Sequence, residues 1–158
     1  MKLRVKKGII LVGLSLLIVG SAVIPFTFFA GIKSIPYESI SQGSWSGVDE
    51  EVYYVINTQE EWEDLWERTL SGTSPTPPVP EINFQDKTII AVYMGVCSSS
   101  GYSIEIKVIA QIGFQFYIHV QQISSHGFLP VVTQPYDIVE TKKLGNLNIN
   151  FITESLEL

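Results

Sequence analysis

Thr88–Val120 reads TIIAVYMGVCSSSGYSIEIKVIAQIGFQFYIHV, and the rest of the mature chain is arranged to cover or extend it. Ile89 to Val96 is apolar at nearly every position, the mark of a central strand with both faces covered. Tyr102 to Ile112 alternates instead. Tyr102, Ile104, Ile106, Val108 and Ala110 are expected to face the core, with Ser103, Glu105, Lys107 and Gln111 outside. Phe114, Phe116, Ile118 and Val120 repeat the pattern, with Gln115, Tyr117, His119 and Gln121 on the outer face. Val96-Cys97-Ser98-Ser99-Ser100-Gly101 separates the first strand from the second, and Gly113 the second from the third. A two-residue loop pairing Gln111 with Phe114 would mix the two faces. A three-residue loop Gln111-Ile112-Gly113, with Gly113 left-handed, keeps them apart. It sets Val108 opposite Phe116, Ile106 opposite Ile118 and Glu105 opposite His119.

Working outward, Val52–Ile56 (VYYVI) is β-branched and aromatic and predicts a strand. Thr58 followed by Glu61 fits a capping box. Trp62, Leu65, Trp66 and Leu70 then recur at helical spacing as one apolar stripe, while Glu60, Glu61, Glu63, Asp64 and Glu67 take the other face. The natural place for this stripe is on the central strand. Ser71–Pro80 (SGTSPTPPVP) holds too many prolines for regular structure and reads as a semi-rigid crossover. After a longer connection over Ser124–Thr133, Gln134–Glu140 reads as a strand opening at a proline, and Leu147–Phe151 as a last strand beyond the turn Leu144-Gly145-Asn146. One helix and about six sequential strands predict an α+β domain: a mostly antiparallel sheet of about six strands covered by one amphipathic helix.

Ahead of this domain, Lys2, Arg4, Lys6 and Lys7 precede Gly8–Ile32, which contains no charged residue. At about 1.5 Å per residue such a helix would exceed a ~30 Å hydrocarbon core. An N-terminal transmembrane helix over residues 8–32 is expected, with the basic end cytoplasmic and the following domain extracytoplasmic. A cleaved signal peptide, with Gly20-Ser21-Ala22 as small residues for the peptidase, is the alternative and leads to secretion. Residues 1–33 thus form an anchor or signal segment. Residues 34–50, rich in Ser and Gly, read as a flexible tether in which Trp45 is the one oddity, and 51–158 as the extracytoplasmic domain.

All 16 Asp and Glu lie beyond residue 33 with only five of the ten Lys and Arg, so this part carries about −11. That argues against nucleic acid and against binding to anionic headgroups. Cys97 is the only cysteine, so no internal disulfide forms. A nucleophilic Cys97, Ser99 or Ser100 would need a base, and His119 and His126 are the only histidines. No G-x-S-x-G elbow, phosphate loop or metal-ligand spacing occurs. No catalytic residue, metal or cofactor is expected.

Three segments together resemble the PrcB C-terminal domain family, the protease complex subunit PrcB-like proteins. They are Glu60–Trp66, then Ile90–Gly95 leading into Ser100–Ile106, and Thr133–Val139. Where the family usually has Thr-Gly-Gly-Tyr, this chain has Ser99-Ser100-Gly101-Tyr102. The resemblance implies an exported, membrane-associated accessory subunit that binds and stabilises a secreted protease without catalysis of its own. The expected function is a non-catalytic, membrane-anchored protein-interaction module. Its candidate binding residues lie on loops at strand starts: Ser99, Ser100, Gly101 and Tyr102, and Gln134, Pro135 and Tyr136. The alternative is an extracytoplasmic small-ligand or glycan-binding domain. It would use Tyr117 and Trp45, or a pocket lined by Tyr102, Tyr136 and Phe128.

Overall fold

Hydrophobic periodicity resolves into three layers, a helix on a sheet on a second sheet. The structure, a computed structural model, describes residues 31–125, 129–145 and 148–158. The order is β1 (Ile32–Ser34), β2 (Tyr37–Gly43), β3 (Val52–Ile56), α1 (Gln59–Thr69), β4 (Lys87–Tyr93), β5 (Tyr102–Ile112), β6 (Gln115–Ser124), β7 (Tyr136–Lys142) and β8 (Asn148–Glu157). The chain is thus mostly β with one helix, but the strands form two four-stranded sheets rather than the single sheet expected. One sheet has the order β2-β7-β4-β3 and is antiparallel throughout. The other has the order β1-β5-β6-β8, in which β8 runs parallel to β6.

The doubly apolar β4 sits where its composition demands, between β7 and β3 with a core on each face. One core packs α1 on the first sheet through Trp62, Leu65, Trp66, Tyr54, Ile89, Tyr93 and Ile138. The other fills the space between the sheets with Ile90, Val92, Val139, Ile104, Ile106, Ile118 and Val120. The helix begins as its sequence directs: Thr58 caps it, its side chain accepting from the Glu61 N–H at 3.4 Å. Both buried indoles need acceptors, and the proline-rich crossover supplies them. Trp62 Nε1 donates to the Pro80 carbonyl at 2.9 Å and Trp66 Nε1 to that of Pro77 at 3.1 Å.

Two further sequence expectations require correction. The tether expected over residues 34–50 begins instead as paired strand, with β1 on β5 and β2 on β7. Ile35, buried between them, donates its backbone N–H to the Ile109 carbonyl at 2.8 Å. A Ser-rich strand with one polar face carries little sequence signal, because its stability comes from its partner strand.

The hairpin register also differs. Its loop has two residues, Gly113 and Phe114, and joins Ile112 to Gln115. Gly113 has φ +59° and Phe114 is not positive, the pattern a glycine-first II′ turn requires. The parity this breaks is restored by a bulge between Ile106 and Val108. Beyond Lys107 the faces exchange: Val108 is 44 % exposed and Ile109 only 1 %. Glu105 therefore opposes Gln121, Ile106 opposes Val120 and Val108 opposes His119. His119 pairs with Glu154 on β8 at 3.3 Å.

No helix among the described residues is long and apolar enough to cross a membrane. The span expected over residues 8–32 lies outside them except for Gly31 and Ile32, and Ile32 opens β1.

Candidate functional site

Antiparallel pairing gathers three loops at one end of the molecule: Ser44–Glu51 after β2, Met94–Gly101 after β4, and Leu129–Pro135 before β7. Backbone hydrogen bonds lash them together. Gln134 N–H donates to the Ser44 carbonyl at 2.8 Å, and Val96 N–H to Asp49 at 3.2 Å. Cys97 and Thr133 exchange both bonds of an antiparallel bridge at 2.8 and 2.9 Å. Ser100 N–H donates to Leu129 at 3.2 Å, and Thr133 Oγ1 to the Ser99 carbonyl at 2.9 Å. Gly95, at φ +77°, lets the strand pass this crossing. A Cβ there would stand 2.8 Å from the Asp49 carbonyl oxygen.

Loops so tied are rigid, yet they hold large apolar side chains in water. Trp45 is 59 % exposed, Val96 54 %, Leu129 63 % and Val132 54 %. Each lies on or next to a residue whose backbone joins two of the loops. Polar groups among them include Gln134, whose Nε2 donates to Asp49 Oδ1 at 2.6 Å, the exposed Ser98 and Ser100, and the exposed acids Asp49, Glu50 and Glu51.

The two sequence-derived segments do converge here, but not all of their residues reach the surface. Ser99, Ser100, Gly101, Tyr102 and Gln134 are exposed or half-buried. Pro135 is buried and gives its carbonyl to Met94 N–H at 3.0 Å. Tyr136 is a core residue: its ring stacks on Tyr93 at 6.1 Å and its hydroxyl bonds Ser41 Oγ at 2.9 Å. It is spent on packing and cannot line a pocket. Phe128 and His126 lie outside the described residues. Sequence reasoning singled out Trp45 but missed Val96, Leu129 and Val132, since apolar residues in a connection look like core until burial is known.

The chemistry of the half-buried Cys97 is subdued. Burial, reinforced by the negative charge of Glu51, pushes its thiol up, away from thiolate. Its Sγ lies 3.7 Å from the Gly95 carbonyl. Nearby, Tyr53 bonds Glu51 Oε1, Thr153 Oγ1 and Gln122 Nε2, each at 3.1 Å, and burial raises its phenol to about 12. This network joins the sheets, and the Tyr53 phenol within it stays protonated at neutral pH. Among the described residues no group of three His, Cys, Asp or Glu is placed to hold a metal ion.

An open cleft of about 460 Å³ adjoins the loops, lined by Gly47, Val48, Asp49, Glu50, Val52, Tyr54 and Arg68. The Arg68 guanidinium lies over the Tyr54 ring at 5.5 Å, with Asp64 Oδ2 3.9 Å from its Nε. No family model matches the chain, and neither does any curated protein or solved structure.

Proposed function

We propose that this chain is a non-catalytic, membrane-anchored extracytoplasmic module that docks a protein partner through the Ser44–Glu51, Met94–Gly101 and Leu129–Pro135 loops. The observation that carries the reading is the set Trp45, Val96, Leu129 and Val132, apolar side chains held in water on hydrogen-bonded loops. Exposed aromatic and aliphatic side chains carried with polar groups on one set of loops have the composition of an interface, and a rigid frame limits the entropy lost on docking. The raised Cys97 thiol agrees with a binding rather than a nucleophilic role. The resemblance to PrcB-like domains supplies the partner class, a secreted protease, and the charge asymmetry of residues 1–33 supplies the orientation.

A photo-crosslinking residue at Trp45 or Val132, in native membranes, tests this. The expected result is a discrete adduct with an exported protein, absent when the residue stands at Lys142 at the opposite end of β7. Equal labelling from all three positions, or none, overturns the reading. The competing small-ligand or glycan reading has the Tyr54–Arg68 cleft in its favour. It requires a ligand that raises the melting temperature of the wild-type chain and not of Arg68→Ala.

A further inference from the structure

At the other end of the β5–β6 hairpin the sequence does something a turn in water has no reason to do. The loop tip is Phe114, 85 % exposed, beside Ile112 at 45 %. The residue paired across from Ile112 is Ile32, itself 53 % exposed. Ile32 is also where the uncharged run Gly8–Ile32 ends. Antiparallel partners lie about 5 Å apart, so the tip stands beside the point at which the apolar run joins the folded domain.

Charge marks the same end. The acid-rich chain has no Asp or Glu from Gly31 to Tyr37 or from Ile106 to Tyr136, which spans both arms of the hairpin tip. The one charged residue in Gly31–Tyr37 is Lys33, paired with Gln111 one step up from the tip. Gln115 and Tyr117, bonded to each other through the phenol and the amide oxygen, flank it on the next strand. An apolar tip therefore stands beside a cation, a tyrosine and amides, with no acid on its two arms. That is the polarity profile of a bilayer surface, from acyl boundary through headgroups to water.

We infer that Ile32, Ile112 and Phe114 form a foot that seats in the lipid headgroup–acyl boundary, fixing the domain on the membrane rather than leaving it hinged above it. This rests on the membrane anchoring proposed above. The occupant of the patch is lipid rather than a second copy of the chain, because the apolar run that ends at Ile32 carries the patch to the bilayer. Apolar side chains of this kind enter the boundary by about 5–10 Å, and Lys33 then reaches lipid phosphates.

The test places an environment-sensitive NBD probe on full-length Cys97→Ser chains carrying either Phe114→Cys or Val132→Cys. The chains are reconstituted in phosphatidylcholine–phosphatidylglycerol vesicles with or without doxyl-labelled lipid. Both sites are exposed, so the fold tolerates the probes, and unchanged melting of the labelled chains checks it. The expected result is quenching by doxyl lipid about twofold or more stronger at position 114 than at 132, with iodide in the buffer giving the reverse order. Co-flotation with the vesicles and equal iodide quenching at both positions overturns the foot while leaving the anchor intact. A blue-shifted probe at 114 that doxyl lipid does not quench points to a second copy and also overturns it. Failure to co-float overturns the anchor reading and the foot together.

Discussion

Asp137 of β7 accepts a hydrogen bond from the backbone N–H of Ile106 of β5 at 2.8 Å, across the gap between the two sheets. The bonded amide borders the bulge that exchanges the faces of β5. Tyr37 reaches the same point from β2, its hydroxyl 2.8 Å from the Ile106 carbonyl and 3.1 Å from that of Lys107. A bulge interrupts the strand ladder, and here the opposite sheet supplies the missing partners.

Asp137 is 4 % exposed, and burial, with Glu105 nearby, lifts its carboxyl from 3.8 to about 6 despite the amide bonds of Ile106 and Ile138. The folded chain then holds a proton that the unfolded chain releases near pH 4. Between about pH 4 and 6 the folded state binds more protons, so this residue's contribution to stability falls as pH rises through that window. Above it the ionised group costs on the order of 1–3 kcal/mol. Asp137→Asn, which keeps an oxygen for the Ile106 amide, is expected to be more stable than wild type at pH 7 by that order. The gap should close toward pH 4 in urea titrations.

Two neighbouring alanine substitutions test the bulge. Ile109→Ala should lose about 2–5 kcal/mol, the usual result for a fully buried isoleucine. Val108→Ala, on the exposed side, should change stability by about 0.5 kcal/mol or less. Strict alternation through β5 predicts the reverse ranking, so denaturant midpoints decide between them.

Gly95→Ala combines a positive φ with a 2.8 Å approach to Asp49. A loss of about 1–3 kcal/mol is expected. Faster amide hydrogen exchange should follow at Val96, Cys97 and Thr133, and weaker crosslinking from Val132. A variant with unaltered exchange there would show that the three loops are not braced through this glycine.

Cys97 should alkylate with iodoacetamide more slowly than glutathione at pH 8, since a raised thiol leaves less thiolate at a given pH. Glu51→Gln removes a repelling charge and should quicken the reaction. A rate above that of glutathione would signal an activated thiol and count against the non-catalytic reading.

Much of this architecture was legible because it is written in short-range pattern. The tryptophan stripe, its threonine cap and the doubly apolar β4 each name their own environment. The hairpin misled for a physical reason. A bulge is one extra residue whose partners, Asp137 and Tyr37, are 31 and 69 positions away from Ile106, and alternation cannot register them. Likewise β1 and β2 are strands because β5 and β7 accept them. At the loop end, the convergence of Ser99–Tyr102 with Gln134 could be argued from strand starts. The exposure of Val96, Leu129 and Val132 could not, since whether a valine is covered depends on the whole fold.

The placement of β1 and β8 bears on time as well as shape. They are the earliest and latest strands of the described chain, and they form the two outer edges of one sheet. In the other sheet β7, also late, lies between β2 and β4 and separates them. During synthesis at about 5–20 residues per second, β1 through β6 are therefore made before either sheet can close. The early strands β1, β5 and β6 pair among themselves, as do β3 and β4, but β2 has no partner except β7, so the sheet β2-β7-β4-β3 is completed only after β7 has been made.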